Sequence, residues 1–308
     1  MFVLPLLGLA LAAPAYPASA PPAVKAESDT VFSVARGTRI RAETMEGDIR
    51  VKVWDRNQVR VEARHSDRDR VRVRQSGSVL RIETTGGFGP HNDADYDLTV
   101  PVWMALTLEG MNGDITVDGV RAPLEITTLN GDITVTGGSE LVRLSSTSGD
   151  IRLTGARGRV VLNGTSQDIF GTDIQGDLVV ESISADIVLR GIVSRSVDVQ
   201  NVSGTIWFDG AFQEGGRYRL LNHSGSIYAG LAENANATIL MAVFSGSIRA
   251  GFRLPTPLTD DIRPQGRRQS FRFGNGSASV ELEAFSGSIV LLRPAELAAR
   301  MARTNRDH

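Results

Sequence analysis

The chain has 308 residues, 22% of them charged with a formal net charge of -2, together with 32 glycines, 6% aromatic residues and no cysteine. A near-neutral balance supplies no overall field for nucleic acid, and the absence of cysteine removes disulfides, thiolate metal sites and a cysteine-linked lipid anchor. The length would suit two ordinary globular domains, but a repeat that grows in one dimension escapes that count.

Phe2 to Ala13 is apolar, and alanine and proline dominate up to about Ala23. Residues 1–23 therefore read as a signal-peptide core and leader, with a small-residue cleavage region at Ala18-Ser19-Ala20. No Lys or Arg precedes the run, which points to a start upstream of Met1. The run is shorter than the ~20 residues of a membrane helix. The expectation is an exported protein, periplasmic, extracellular or at the cell surface, with no transmembrane segment after leader removal.

From about Val31 the pattern alternates. Ile40, Ala42, Thr44 and Glu46 lead into Gly47-Asp48-Ile49, Val51 and Val53 continue it, and Ser76-Gly77-Ser78-Val79 echoes the phrase after a charged stretch. Residues 24–104 are expected to form the irregular opening turns of the β-structure that follows. Arg70, Arg72 and Arg74 alternate along one strand, with Arg60 and Arg64 upstream. Glu62 and Asp69 are interleaved, the pattern of a solvated mixed-charge face rather than an anion site.

Across residues 105–292 one phrase recurs. It stands as Gly113-Asp114-Ile115, Gly131-Asp132-Ile133 and Gly149-Asp150-Ile151, changes to Gln167-Asp168-Ile169 and Ala185-Asp186-Ile187, and returns as Gly204-Thr205-Ile206, Gly225-Ser226-Ile227, Gly246-Ser247-Ile248 and Gly287-Ser288-Ile289. Nine and seven residues before each isoleucine the side chain is apolar, as in Leu124 and Ile126. Five and three before, it is small or polar, as in Thr128 and Asn130, and these residues are expected to point inward as hydrogen-bonded ladders. Glycines such as Gly119, Gly137, Gly155 and Gly191 close the segment.

Alternation bounded by glycine is the period-two signature of short strands. A single unit leaves its apolar face bare, whereas units stacked about 4.8 Å apart share one core. The expected fold is all-β: a β-solenoid, or single-stack β-helix, with rungs of about eighteen to twenty-one residues. Gly113, Gly131 and Gly149 are placed in turns. Ile115, Ile133, Ile151, Ile169, Ile187, Ile206, Ile227, Ile248 and Ile289 are placed in the core.

The spacing fails between Ile248 and Ile289. Pro255, Pro257, Pro264 and Gly266 predict a surface loop there, and Phe271 to Val280 around Asn275-Gly276 predict a hairpin, so 252–280 reads as an insertion in the stack. In 293–308, Glu296 to Met301 suit a short helix, expected to be a C-terminal cap on the end of the stack or a tail.

The phrases Ile40 to Val53, Leu98-Thr99-Val100-Pro101 and Leu108 to Gly119 resemble the bacterial adhesin-like family of β-strand-repeat domains of unknown function, over residues 31 to 292. The resemblance implies an exported or envelope-associated β-solenoid with no established catalytic residues.

One set of residues suggests chemistry. Asp114, Asp132, Asp150, Asp168 and Asp186 share a register position in successive rungs. Like charges one rung apart repel by roughly 0.9 kcal/mol even in water. The column is therefore either a ladder for a divalent cation such as calcium or a row of turn caps accepting backbone N–H bonds. Its replacement by Thr205, Ser226, Ser247 and Ser288 in later rungs favours capping. The histidines His65, His91, His223 and His308 have no metal-ligand spacing and no triad order. The reading is a non-catalytic adhesin or envelope scaffold whose partner is an envelope or extracellular protein or glycan. A polysaccharide lyase or hydrolase on the same fold, using the Asp column with Arg152 or Arg190, is the alternative.

Overall fold

The computed structural model describes residues 26–65, 69–86, 94–263 and 266–304; the 1–23 leader lies outside them. The chain is a β-solenoid. Each regular unit gives one strand to a first face and, after the glycine corner, one to a second, as in Leu124–Asn130 and Ile133–Gly137. Equivalent strands pair in parallel and in register: Ile126 lies beside Leu108 and Leu144, and Ile133 beside Ile115 and Ile151. A narrow third side begins as the bridges Arg157–Gln175 and Gln175–Val193. It becomes continuous where Ile187–Ser203 and Ile206–Ser224 run through it as long strands.

Alternate side chains of both faces meet inside. Ile115, Ile133, Ile151, Ile169, Ile187, Ile206, Ile227 and Ile289 are buried. Ile248 is half-buried, because its strand pairs with 289–292 and ends the second face. Burying a side chain of this size contributes about 1.5–3 kcal/mol, and each is shared with the rungs on either side. At Gly131 and Gly149 the corners stack so closely that a Cβ would run into the carbonyl oxygen of Gly113 or Gly131 below. Close approach of backbones is what demands glycine at these two positions.

The inward polar ladder differs from expectation. The residues five before the isoleucine do point inward, with Thr128, Ser146, Ser182, Asn201 and Asn222 buried. Three of them brace the corner instead of bonding one another: Ser146 Oγ donates to Gly131 O at 3.2 Å, Asn201 Nδ2 to Ala185 O at 2.9 Å and Asn222 Nδ2 to Gly204 O at 2.7 Å, while the Thr128 and Ser182 hydroxyls are buried without a partner among the described residues. The residues three before, such as Asn130, Ser148 and Ser203, are exposed. Alternation stops one residue early because the chain is already entering the corner, so the residues four and three before the isoleucine both face solvent.

The rungs are not stacked in chain order at either end. Val79–Gly86 and Ala94–Pro101 lie outside the 39–54 rung, which therefore sits between them and the 105–120 rung. At the far end Ala278–Ser286 and Ile289–Leu292 insert between the 206–230 strands and the 237–250 rung. Antiparallel strands extend the stack at both ends: Asp69–Ser76 on one face and Gln58–His65 with Ala26–Ser33 on the other, then Gly266–Phe273 with Thr259–Arg263.

Two expectations are corrected by this arrangement. Asn275-Gly276 is not a hairpin tip, because the strands on either side of it flank Ala237–Ser245 on opposite edges. The hairpin inside 252–280 is Thr259–Arg263 with Gly266–Phe273. The helix Pro294–Thr304 is not on the end of the stack. Its Leu297 and Met301 pack with Val188, Trp207, Val290 and Leu292 on the outer side of the second face, with Phe170 and Tyr228 alongside.

Candidate functional site

The Asp column caps between rungs. Asp114 Oδ1 accepts the backbone N–H of Asp132 at 2.9 Å, Asp132 that of Asp150 at 2.8 Å, Asp150 that of Asp168 at 3.0 Å, and Asp168 that of Asp186 at 2.9 Å. The series starts earlier, at Asp95 to Asp48 and Asp48 to Asp114, and ends where Asp186 accepts from Thr205 at 2.7 Å. Further on Ser226 Oγ accepts from Ser288 N at 3.3 Å, so the hydroxyl does the same job more weakly. Each carboxylate thus braces the next corner rather than its own turn.

Arg152 approaches Asp150 at 2.7 Å and Asp132 at 3.7 Å, which offsets part of the repulsion. Among the described residues no group of three or more His, Asp or Glu side chains is placed to hold a metal ion. Arg190, the other cation considered with this column, has its Nε and Nη2 buried without a hydrogen-bond partner among the described residues. Burial raises the Asp209 carboxyl above its ordinary range, and Arg190 pulls it back. The arginines near the start divide between faces: Arg60 pairs with Asp29 and Arg64 with Asp97, while Arg70, Arg72 and Arg74 are exposed on the strand that edges the first face. Charged side chains on an edge strand oppose pairing with another sheet.

The sequence reading passed over the position four before the isoleucine. Met45, Met111, Leu129, Ile183, Val202, Phe285 and Phe244 all stand there and are 42–54% exposed. Thr147, Thr165 and His223 complete the column. It runs along the corner where the first face ends. Its signal was available, since the same apolar class recurs at one register position. It lies between the small or polar positions five and three before the isoleucine, whose polarity masks it.

A cleft opens at each end of this column. At the early end about 430 Å³ is lined by Met45 and Met111 with Glu43, Glu83 and Glu109. Arg41 pairs with Glu43 at 2.7 Å and with Glu109 at 3.0 Å. At the late end about 400 Å³ is lined by His223, Phe285 and Phe244, with Asp261, Gly266, Arg267, Arg268 and Glu283 around them. The rings form a parallel stack: His223 to Phe285 is 4.7 Å at 5°, and Phe285 to Phe244 is 4.5 Å at 4°. Burial, reinforced by Glu281, holds the Glu283 carboxyl above the usual carboxylate range. Concave surfaces of this size with a few convergent polar groups are the usual form of small-ligand sites.

Parallel in-register rungs, a capped acidic corner and an exposed outer column define an all-β repeat protein of the solenoid class. Residues 37–292 match the Toastrack DUF4097 family, and the chain belongs to that family, whose function is unknown. Among solved structures it is similar to a candidate cell adhesion protein from Clostridium sporogenes, at 9% identity over 86% of this chain and 99% of that one, with a TM-score of 0.19. It is also similar to a candidate adhesin from Bacteroides fragilis, at 14% identity over 86% of this chain and 96% of that one, with a TM-score of 0.35. No curated protein matches the chain.

Proposed function

We propose that this protein is an exported, non-catalytic β-solenoid that acts as an adhesin or envelope scaffold, holding an envelope or extracellular protein or glycan along its outer corner. The observation that supports this best is the exposed apolar column from Met45 to Phe244 with a cleft at each end. The column has two apolar stretches, Met45 to Leu129 and Ile183 to Phe244, separated at Thr147 and Thr165, and exposed apolar patches on a folded protein mark interaction sites. The leader at 1–23 supports a place outside the cytoplasm.

The test is retention of purified protein on envelope fractions and on a glycan and protein array. Changing Met111, Leu129, Ile183 and Val202 together to Ser should leave the melting temperature within a few degrees of wild type and remove most of the retention. Equal retention by that variant sinks the corner as the contact surface. Mass spectrometry of the exported chain should find it beginning near Ala20. A polysaccharide panel separates the enzyme alternative: new reducing ends or unsaturated products would overturn the non-catalytic reading. The Asp column argues against such activity, because each of Asp114, Asp132, Asp150 and Asp168 already has Oδ1 engaged with the next rung.

A further inference from the structure

The late cleft narrows the partner class, and this step rests on the binding role proposed above. The ring stack ends at Phe244. The closing strand places Gly266 against it, where a Cβ would lie 3.2 Å from Phe244 Cα and 2.6 Å from Val243 O. That strand therefore adds no side chain to the column at the point where the next ring would sit. Phe244 and Phe285 are 46% and 48% exposed.

The groups around the rings decide what fits. Arg267 is held by Asp260, with Nε to Oδ1 at 3.4 Å. Arg268 lies close enough to Glu283 to lower that carboxyl's pKa, against the stronger effect of burial. Asp261 completes the rim. A cationic ligand would meet two guanidinium groups, and an anionic one would meet two carboxyls, so neither charge is favoured. An uncharged ring with one apolar face and a rim of hydroxyls matches each part. Its face stacks on Phe244, and its hydroxyls donate to Glu283 and Asp261 and accept from Arg268. We infer that the cleft at Phe244, Gly266, Arg268 and Glu283 binds a neutral pyranose unit of a saccharide.

Titration calorimetry with neutral hexasaccharides (cellohexaose, maltohexaose and hexa-N-acetylchitohexaose) tests this, with a hexauronate, spermidine and adenosine as comparators. At least one neutral hexasaccharide should bind the full-length protein, more tightly than every comparator. Phe244→Ala should weaken it by roughly tenfold, ~1.4 kcal/mol, and Arg268→Gln should also weaken it, while Thr134→Ala, exposed on the second face, leaves it unchanged. Melting curves of the variants should overlay wild type, since the substituted side chains are exposed. Absence of binding to all three neutral sugars, tighter binding of a comparator, or full affinity in Phe244→Ala overturns the inference. The broader role survives any of these if envelope retention persists in Phe244→Ala and is lost in the corner variant. It falls separately if the corner variant keeps its retention.

Discussion

One residue after the repeating isoleucine, Phe170, Val188, Trp207, Tyr228 and Val290 form an outward apolar column that packs beside the helix Pro294–Thr304. Four residues before it, Met45, Met111, Leu129, Ile183, Val202, Phe285 and Phe244 form a second outward column that stays about half exposed. In the first column Trp207 stacks on Tyr228 at 4.1 Å and is 7% exposed. Its earlier rungs carry Thr116, Thr134 and Arg152, so apolar residues begin where the helix lies. The second column is apolar toward both ends of the stack, with Thr147 and Thr165 between. The same chain closes one apolar surface with its own helix and leaves the other to solvent, so outward apolarity here has two physical uses: internal packing in one place and an available contact in the other.

The difference is open to direct disruption. Trp207→Ala should cost about 3–5 kcal/mol, as for other buried aromatic truncations, and chemical denaturation would register it. A cost below 1 kcal/mol would mean that the covered column is no part of the core. Leu297→Ala should cost about 2–4 kcal/mol by the same reasoning and should raise binding of an apolar dye, because the helix loosens from Val188 and Trp207. If the melting temperature falls without any rise in dye binding, the helix is not the cover.

The acidic column calibrates the two. Asp150→Ala removes the acceptor for Asp168 N–H and the ion pair with Arg152, and should cost about 1 kcal/mol. Asp150→Ser should cost less, because Ser226 accepts the equivalent bond with its hydroxyl. Equal losses in the two would show that the carboxylate charge, not the acceptor, is what the corner requires. The smallest effect belongs to the open column: Ile183→Ser should change stability by no more than about 0.5 kcal/mol, as exposed sites do. A loss comparable to Leu297→Ala would place Ile183 in the packed interior and erase the contrast.

The repeating part of the fold was legible because its determinants are local. Alternation around Leu124 and Ile126, the glycine corner and the isoleucine after it all lie within one rung, and the stack repeats them. The acid position was legible as well, although the donor it serves sits one rung away. What the sequence conceals is which rung lies beside which. Parallel backbone hydrogen bonds are the same for any two strands with this alternation, so nothing in Ile49 to Val53 says that Tyr96 to Val100 pairs on one side of it and Ile115 on the other. The long gaps after Val53 and after Ile248 were the visible trace of these excursions. The position of the helix was readable in principle from Trp207, Tyr228 and Val290, had the outward residues been compared rung by rung.

The inserted rung near the end has a consequence for how the chain is made. Residues 237–250 leave the ribosome, and pass any export channel from the N-terminus, before residues 278–292 that will separate them from the 206–230 strands. For that interval the open edge of Ile206–Ser224 offers Ala237–Ser245 the register it will later share with Ala278–Ser286, Tyr218 beside Ile239 in place of Val280. A stack closed in that premature order is a kinetic competitor of the native one, built from the same alternation and reachable by a shorter loop. It can be looked for in a chain stopped after Ala250. If that chain protects the backbone amides of Ala237–Ser245 from hydrogen exchange, the last turn of this solenoid is reached by opening an earlier pairing rather than by simple addition at the end.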